Sequence, residues 1–409
     1  MISGKARCGL RYAVKRSGSA VGYCALSIHC GTRDEAGFPS GIAHFTEHTI
    51  FKGTEQKSAS VINGYLDRLG GELNAYTTKE EIVIHSTVLK EDLPKAMSLL
   101  LEIATSSIFP EHEIEVEKGV VIDEINSYKD SPADDIYDRF EETLFEGHPL
   151  GGIILGTEDS VKSITSADLQ RFAAKFFIPE RMAFTIVADL DEAVLEKKVL
   201  TLAGKFWEGK VNEPADFRTT PVGIENHFER REDKENHEVN AIIGGYAPTL
   251  YQEKERLTAV LLANILGGPA SNSILNADLR EKHGWVYGVE CSYTQYTDSG
   301  IMAISLGCDK ENLEKCLRHV RKAIQKLQQT PYTAARLKAA KKQLLGQLAI
   351  SSDNGETQCL SMGKSLLAFG HIASDTENRN AIESISAEDL QHAACTIFAE
   401  QNLSTLIYV

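Results

Sequence analysis

The chain has 409 residues, of which 42% are hydrophobic and 25% are charged, and its formal net charge is −15. This length is sufficient for two or three domains, and the acidic charge argues against nucleic acid as a partner, because nucleic-acid binding needs a basic surface. No apolar run is long enough to span a bilayer and no signal peptide is visible, so we expect a cytoplasmic protein without a membrane span. If processing had removed a leader peptide, the remaining chain would have this same sequence.

The first predicted elements lead to a short helix. Residues 10–14 and 20–30 are predicted to form the two strands of a hairpin, since a polar turn separates two apolar runs. A loop over residues 31–40 follows. Ser40 or Gly41 is suitable as the N-cap of the next helix, and Gly53 is suitable as the glycine that ends it.

That helix holds His44, Glu47 and His48 in the order H-x-x-E-H. At about 100° per residue, all three side chains project from one face of the helix. Two imidazoles one turn apart can bind a single Zn²⁺, and a carboxylate beside them can accept a proton from activated water. The spacing is that of the inverted zincin motif, and it predicts a metal site.

Helices and strands alternate after this motif. The sequence predicts a helix over 59–69, antiparallel strands over 72–78 and 81–89, and helices over 93–103, 111–128 and 132–145. Glu117 and Glu124 share a face of the helix over 111–128, because seven residues are almost two turns. A site with two histidines needs a third ligand and an open position for water, and Glu124 is a candidate, although most glutamates on such a helix are merely solvated.

The end of the first half of the chain is repeated at the end of the second half. Residues 163–177 match residues 384–398 without a gap, with seven of fifteen positions identical. We therefore predict an α+β fold of two tandem duplicated domains, each a mixed, largely antiparallel sheet packed with helices. The predicted domains are residues 1–208, which carry the metal site, and residues 225–409, joined by a linker over 209–224 that is rich in proline and glycine.

The second copy has no His or Glu at the positions that match the metal ligands, so only the first copy can hold the ion. It offers Arg280 at the end of a helix and Tyr287 at the start of a strand instead. Both residues have ordinary structural explanations, as a helix C-terminal charge and a half-buried aromatic.

Together these segments resemble the pitrilysin/insulinase family of inverted-zincin metallopeptidases, in the branch of short chains similar to the mitochondrial processing peptidase β subunit. The resemblance covers essentially the full length. Its motifs are His44-Phe-Thr-Glu-His48 with Phe51-Lys-Gly-Thr54, Gly70-Gly-Glu-Leu-Asn-Ala-Tyr-Thr77, Glu117-Lys-Gly-Val-Val-Ile-Asp-Glu124, and Leu279-Arg-Glu-Lys-His-Gly-Trp-Val-Tyr287.

The resemblance implies a role for each residue of the first copy that the motifs contain. His44, His48 and Glu124 would bind one Zn²⁺ per chain. Glu47 would be the general base, and Glu117 would orient the site as a carboxylate behind the ligands.

The resemblance also implies residues that contact the substrate. Asn74, Ala75 and Thr77 would lie on an edge strand that pairs with the substrate backbone. Arg280 and Tyr287 match the Arg/Tyr pair of the family, in which the tyrosine hydroxyl faces the scissile carbonyl.

The implied function is hydrolysis of peptide bonds in unfolded or short peptides inside a closed clamshell chamber, of which one chain would form half. In the long members of the family, zinc lies in the first quarter of the chain and the Arg/Tyr pair in the last, so we expect a homodimer with composite active sites. Two alternatives stay open. The intact H-x-x-E-H motif argues against a catalytically silent scaffold, and the intact Arg/Tyr pair argues against one subunit of a heterodimeric processing peptidase.

Overall fold

A computed structural model describes residues 1–207, 226–234 and 238–409 of the chain, and the predicted linker over 209–224 lies outside these residues. The strands are β1 (Ile2–Lys5), β2 (Arg11–Arg16), β3 (Val21–Ile28), β4 (Glu72–Thr77), β5 (Ile82–Leu89), β6 (Met182–Ala188), β7 (Glu229–Glu232), β8 (Val239–Tyr246), β9 (Val286–Gln295), β10 (Gly300–Cys308) and β11 (Ser404–Tyr408). The α-helices are α1 (Ile42–Thr49), α2 (Ala59–Asp67), α3 (Leu93–Ser106), α4 (Glu111–Lys129), α5 (Pro132–Leu144), α6 (Glu158–Ser163), α7 (Ser166–Phe176), α8 (Glu192–Phe206), α9 (Glu253–Gly267), α10 (Leu313–Gln329), α11 (Ala334–Ser351), α12 (Gly355–Phe369), α13 (Asp375–Ser384) and α14 (Ala387–Ile397).

These elements form two compact units, each built around one sheet, which confirms the predicted α+β class. The first unit comprises the described residues within Met1–Asn126, Gly152–Phe217 and Ile350–Ile372. The second comprises those within Ser127–Gly151, Arg218–Ala349 and Ala373–Val409. Each unit thus takes one helix from the other half of the sequence, α12 in the first unit and α5 in the second.

The sheet of the first unit has the strand order β1-β2-β6-β3-β5-β4. The predicted hairpin of β2 and β3 is wrong, because β6 lies between them, parallel to β2 and antiparallel to β3. Every residue of β6 is buried, and all but Thr185 are apolar, as is expected of a strand at the centre of a sheet with both faces covered. The predicted antiparallel pairing of β4 with β5 is confirmed, and β4 is the edge strand.

The sheet of the second unit has the order β7-β11-β8-β10-β9 and repeats the arrangement of the first. β7 and β11 are parallel, as β2 and β6 are, and the other neighbours are antiparallel. The two copies of the repeated segment form α7 and α14, which lead into the equivalent strands β6 and β11. This agreement supports the predicted duplication.

Both faces of the first sheet are buried. One face packs against a large core, and the other is covered by α12, whose Cys359, Met362 and Leu366 contact small residues of the strands such as Ala25. A Cβ on Gly363 would lie 2.4 Å from Oγ of Ser27, so only glycine permits this close approach.

The second sheet is covered in the same way. Its larger core includes α9, α10 and α14. On the opposite face, Phe140 and Leu144 of α5 pack with Ile242 and Tyr408 of the strands. Within the described ranges, no helix is both long and apolar enough to cross a membrane.

Candidate metal centre

Helix α1 is fixed by its apolar side, which leaves its polar side for the site. Ile42 and Phe45 are fully buried in the core of the first unit. The hydroxyls of Thr46 and Thr49 donate to the carbonyl oxygens of Ile42 and Phe45, at 2.7 and 2.6 Å, so these buried polar groups are satisfied within the helix. The helix ends at Thr49, four residues before the predicted Gly53.

The start of α1 is held by a residue that the sequence did not indicate. Gly41 is the N-cap, with a φ of 84° that favours glycine, but the backbone donors are satisfied by Glu35. The carboxylate of Glu35 accepts hydrogen bonds from the N–H groups of Gly41 and Ala43, at 2.9 and 3.0 Å. Burial raises the pKa of Glu35 to about 8 despite these two bonds. No local pattern connects Glu35 with the helix, because an irregular loop brings it there.

The side chains of His44, His48 and Glu124 converge. Oε2 of Glu124 lies 3.8 Å from Nε2 of His44 and 3.5 Å from Nε2 of His48. The three candidate ligand atoms all lie within 4.8 Å of one another. Burial and the neighbouring His48 lower the pKa of His44, which favours the neutral imidazole that a metal requires. Two imidazole nitrogens and one carboxylate oxygen form the donor set of a catalytic zinc site, so these residues fit the ion.

Glu117 and Lys52 support this cluster from behind. Oε1 of Glu117 lies 2.9 Å from Nδ1 of His48, and Oε2 lies 2.5 Å from Nζ of Lys52. Burial acts to raise the pKa of Glu117, but its bonds with His48 and Lys52 outweigh burial and lower it, so the carboxylate is ionised. Lys52 belongs to one of the family motifs, yet its role could not be read from the sequence.

Glu47 lies on the same face of α1 as the two histidines, and its side chain contacts β4. Its Oε2 accepts a hydrogen bond from the hydroxyl of Thr77 on β4 at 2.8 Å. Burial raises the pKa of Glu47, and the Thr77 bond and the charge of His48 oppose that shift. The side chain of Thr77, which we predicted to contact substrate, therefore contacts the candidate base.

Among the described strands of the sheet, the edge strand β4 pairs with only one, β5. Thr78 N–H donates to the carbonyl oxygen of Glu81 at 2.8 Å, and Ala75 lies opposite Ile84 in the ladder. Hydrogen-bonded pairs alternate along antiparallel strands, so Ala75 is in a non-hydrogen-bonded pair and its N–H and C=O face away from β5. Asn74, by contrast, directs its backbone groups into the sheet.

Arg280 and Tyr287 lie in the second unit. Arg280 is on a π-helix, Asn276–Lys282, and lines a cavity of about 490 Å³ together with Tyr137 and Glu238. Tyr287 is 62% exposed. Its hydroxyl donates to Oδ1 of Asp309 at 2.8 Å, and this bond raises the pKa of the phenol.

Comparison with known proteins gives matches along both halves of the chain. Residues 11–158 match the model of the insulinase family, peptidase family M16, and residues 163–344 match the model of the peptidase M16 inactive domain. An uncharacterized zinc protease of Rickettsia bellii is 30% identical over 382 residues, which cover 93% of this chain and 91% of that protein. An uncharacterized zinc protease of Bacillus subtilis is 28% identical over 383 residues, with the same coverage of 93% and 91%.

Two solved structures share the fold. A protease from Helicobacter pylori superposes with a TM-score of 0.88 at 21% identity, covering 100% of this chain and 98% of that one. A peptidase M16 inactive domain from Pseudomonas fluorescens gives a TM-score of 0.84 at 19% identity, covering 100% and 97%.

Proposed function

Because the chain belongs to the insulinase family of peptidases, family M16, we propose that it is a zinc metalloendopeptidase that cleaves unfolded or short peptides. The observation that carries the proposal is the convergence of His44, His48 and Glu124, with the carboxylate of Glu47 on the same face of α1. Two histidines and one glutamate would hold a single Zn²⁺ and leave a position open for water.

A bound Zn²⁺ would supply Lewis acidity, which lowers the pKa of water and polarises the peptide carbonyl. Glu47 accepts a proton from the attacking water and returns it to the leaving amine nitrogen. The hydroxyl of Thr77 holds Oε2 of Glu47, which leaves Oε1 to carry the proton. Glu117 accepts from His48 and thereby fixes the orientation of that ring.

The substrate is proposed to bind as an added strand. Ala75 offers an outward N–H and C=O on β4, and an extended peptide can pair with such an edge through its own backbone. Backbone pairing requires an extended chain but no particular side chains. This favours unfolded or short peptides as substrates over folded proteins.

Arg280 and Tyr287 are proposed to act across a homodimer that encloses a chamber. The hydroxyl of Tyr287 would exchange its hydrogen bond to Asp309 for one to the oxyanion that forms on the scissile carbonyl, and loss of one such donor costs about 10²–10³ in rate. The support for this step is the match of Leu279-Arg-Glu-Lys-His-Gly-Trp-Val-Tyr287 to the family motif.

The test is zinc content and peptide cleavage measured on the same samples after chelation and reconstitution. Glu124→Gln should bind one equivalent of zinc fewer than the unchanged chain, because a neutral amide is a poor zinc ligand, and it should lose cleavage of an unfolded peptide. Asp123→Asn, exposed on the same helix, is the matched control and should keep both. An unchanged chain that binds zinc at this site and cleaves no unfolded peptide would leave the silent scaffold as the remaining explanation.

A further inference from the structure

A second group of potential metal ligands lies in the second unit. Asp278 is on the π-helix Asn276–Lys282, His283 directly follows that helix, and His319 is on α10. One ligand atom from each residue lies within 4.8 Å of the other two. Oδ2 of Asp278 is 2.6 Å from Nδ1 of His319, and Oδ1 is 3.6 Å from Nε2 of His283.

Trp285 holds both imidazoles in place. Its ring stacks on His283 with centroids 4.1 Å apart and planes 13° from parallel. The same indole meets His319 edge-on, with centroids 5.0 Å apart and planes at 90°. The two nitrogen donors are thus oriented by a rigid aromatic side chain, which reduces the cost of ordering them around an ion.

One ring nitrogen of His283 lacks a hydrogen-bond partner within the described part of the chain. Its Nε2 is buried from solvent and has no hydrogen-bond partner among the residues that the structure describes. A buried polar atom without a partner is costly, and a neutral imidazole nitrogen can satisfy its lone pair on a cation. Oδ1 of Asp278 lies 3.6 Å from this Nε2, so the carboxylate is placed to bind the same ion.

Two lysine amines lie near the cluster. Nζ of Lys282 lies 3.9 Å from Oδ1 of Asp278, but its side chain is 68% exposed and can turn into solvent. Nζ of Lys315 lies 5.7 Å from the centroid of the Trp285 ring and donates to Oδ1 of Asn312 at 2.9 Å.

We propose that Asp278, His283 and His319 form a second metal site, separate in sequence from the H-x-x-E-H motif, that binds a divalent transition metal. Two imidazoles and one carboxylate suit Zn²⁺, Co²⁺, Ni²⁺ or Cu²⁺, whereas Mg²⁺ and Ca²⁺ prefer oxygen ligands. The bound ion would join the π-helix to α10, two segments that the chain connects only through β9 and β10. Because Arg280 lies on this π-helix, the ion would also restrain that side chain.

Isothermal titration of the chelator-treated, full-length protein with Co²⁺ counts the equivalents bound. His319→Ala should bind one equivalent fewer than the unchanged chain, whether or not the H-x-x-E-H motif also binds an ion. His392→Ala, which removes an exposed histidine of α14 in the same unit, is the matched control and should bind the full number. Asp278→Asn should weaken the same equivalent at least about tenfold, because it removes the only carboxylate of the set.

Tryptophan fluorescence gives an independent readout, since the chain has two tryptophans and Trp285 contacts His283. In a Trp207→Phe background, Co²⁺ should quench the emission of Trp285, and adding His319→Ala should abolish the quenching. Circular dichroism in chelator checks that each variant is folded, and His283→Gln replaces any variant that is not. Equal stoichiometry and equal quenching with and without the ligand substitution would show that the cluster is only a hydrogen-bonded aromatic network, and would overturn the proposal.

Discussion

Nδ1 of His48 lies 2.9 Å from Oε1 of Glu117, while Nε2 of the same ring lies 3.5 Å from Oε2 of Glu124. One imidazole is therefore held on both sides by carboxylates that are two turns apart on α4. Burial acts to lower the pKa of His48, but its bonds with Glu117 and Glu124 outweigh burial and raise it to about 9. A bound metal would take the place of the proton on Nε2, and the contact with Glu117 would keep the other proton on Nδ1.

Glu117→Gln should weaken zinc binding by about 10- to 100-fold, because an amide holds the ring of His48 less firmly than a carboxylate does. Competition with a chromophoric chelator measures the affinity. Glu115→Gln, two residues earlier on the exposed side of α4, should leave the affinity unchanged. Equal zinc affinity in the two variants would mean that Glu117 does not position the ligand.

Glu47→Gln should keep its zinc and lose about 10²–10⁴ in kcat, because the amide cannot accept the proton from water. Elemental analysis and peptide-cleavage kinetics on the same sample check both statements. A companion pair examines Thr77: Thr77→Val should lower kcat, since it removes the donor to Oε2 of Glu47, whereas Thr77→Ser should keep most of the rate. A Glu47→Gln enzyme of unaltered rate would exclude Glu47 as the base.

Ala75→Pro should raise KM or lower kcat/KM for peptides and leave zinc content and the melting temperature nearly unchanged. The reason is that the N–H of Ala75 faces the free edge of the sheet, so proline removes a donor to substrate without removing a bond of the ladder. Ala75→Gly keeps the donor and is the matched control. Loss of zinc or of folding in Ala75→Pro would show that this N–H serves the structure.

The stability of the fold should depend on pH through Glu35. Burial raises its pKa to about 8 in the folded protein, from an ordinary value of 4.5, so the folded state binds the proton more tightly than the unfolded chain does. The stability that Glu35 contributes is therefore fully present below about pH 4.5 and is lost as the pH rises through 8, by at most about 1.4 kcal/mol per pH unit. Urea unfolding across this range should show the unchanged chain losing stability relative to Glu35→Gln as the pH rises, because the amide does not titrate, and parallel curves would contradict this.

A mixture of Glu47→Gln and Tyr287→Phe protein should regain peptidase activity after subunit exchange. If each site combines the metal residues of one chain with Tyr287 of a second copy, the mixed dimer has one site with both lesions and one intact site. Each variant incubated alone is the control and should stay inactive. A mixture that stays inactive despite proven exchange would indicate that each chain supplies its own complete site.

The local parts of this protein followed from the sequence. The 3.6-residue period places His44, Glu47 and His48 on one face of α1, and period and length also give α4, with Glu117 and Glu124 two turns apart. The pairing of β4 with β5 followed from two short runs separated by a tight turn. These features depend on residues close together in the chain, so the local pattern of residue types is enough to predict them.

The tertiary structure alone decided which distant segments meet. Glu117 lies 69 residues from His48, and His319 lies 41 residues from Asp278, so neither contact has a sequence spacing that predicts it. Two further features also depend on contacts between distant segments. β6 lies between β2 and β3, and each sheet is covered by a helix from the other half of the chain. These contacts form because they bury apolar surface, and the free energy of that burial does not depend on how far apart the segments are in the sequence.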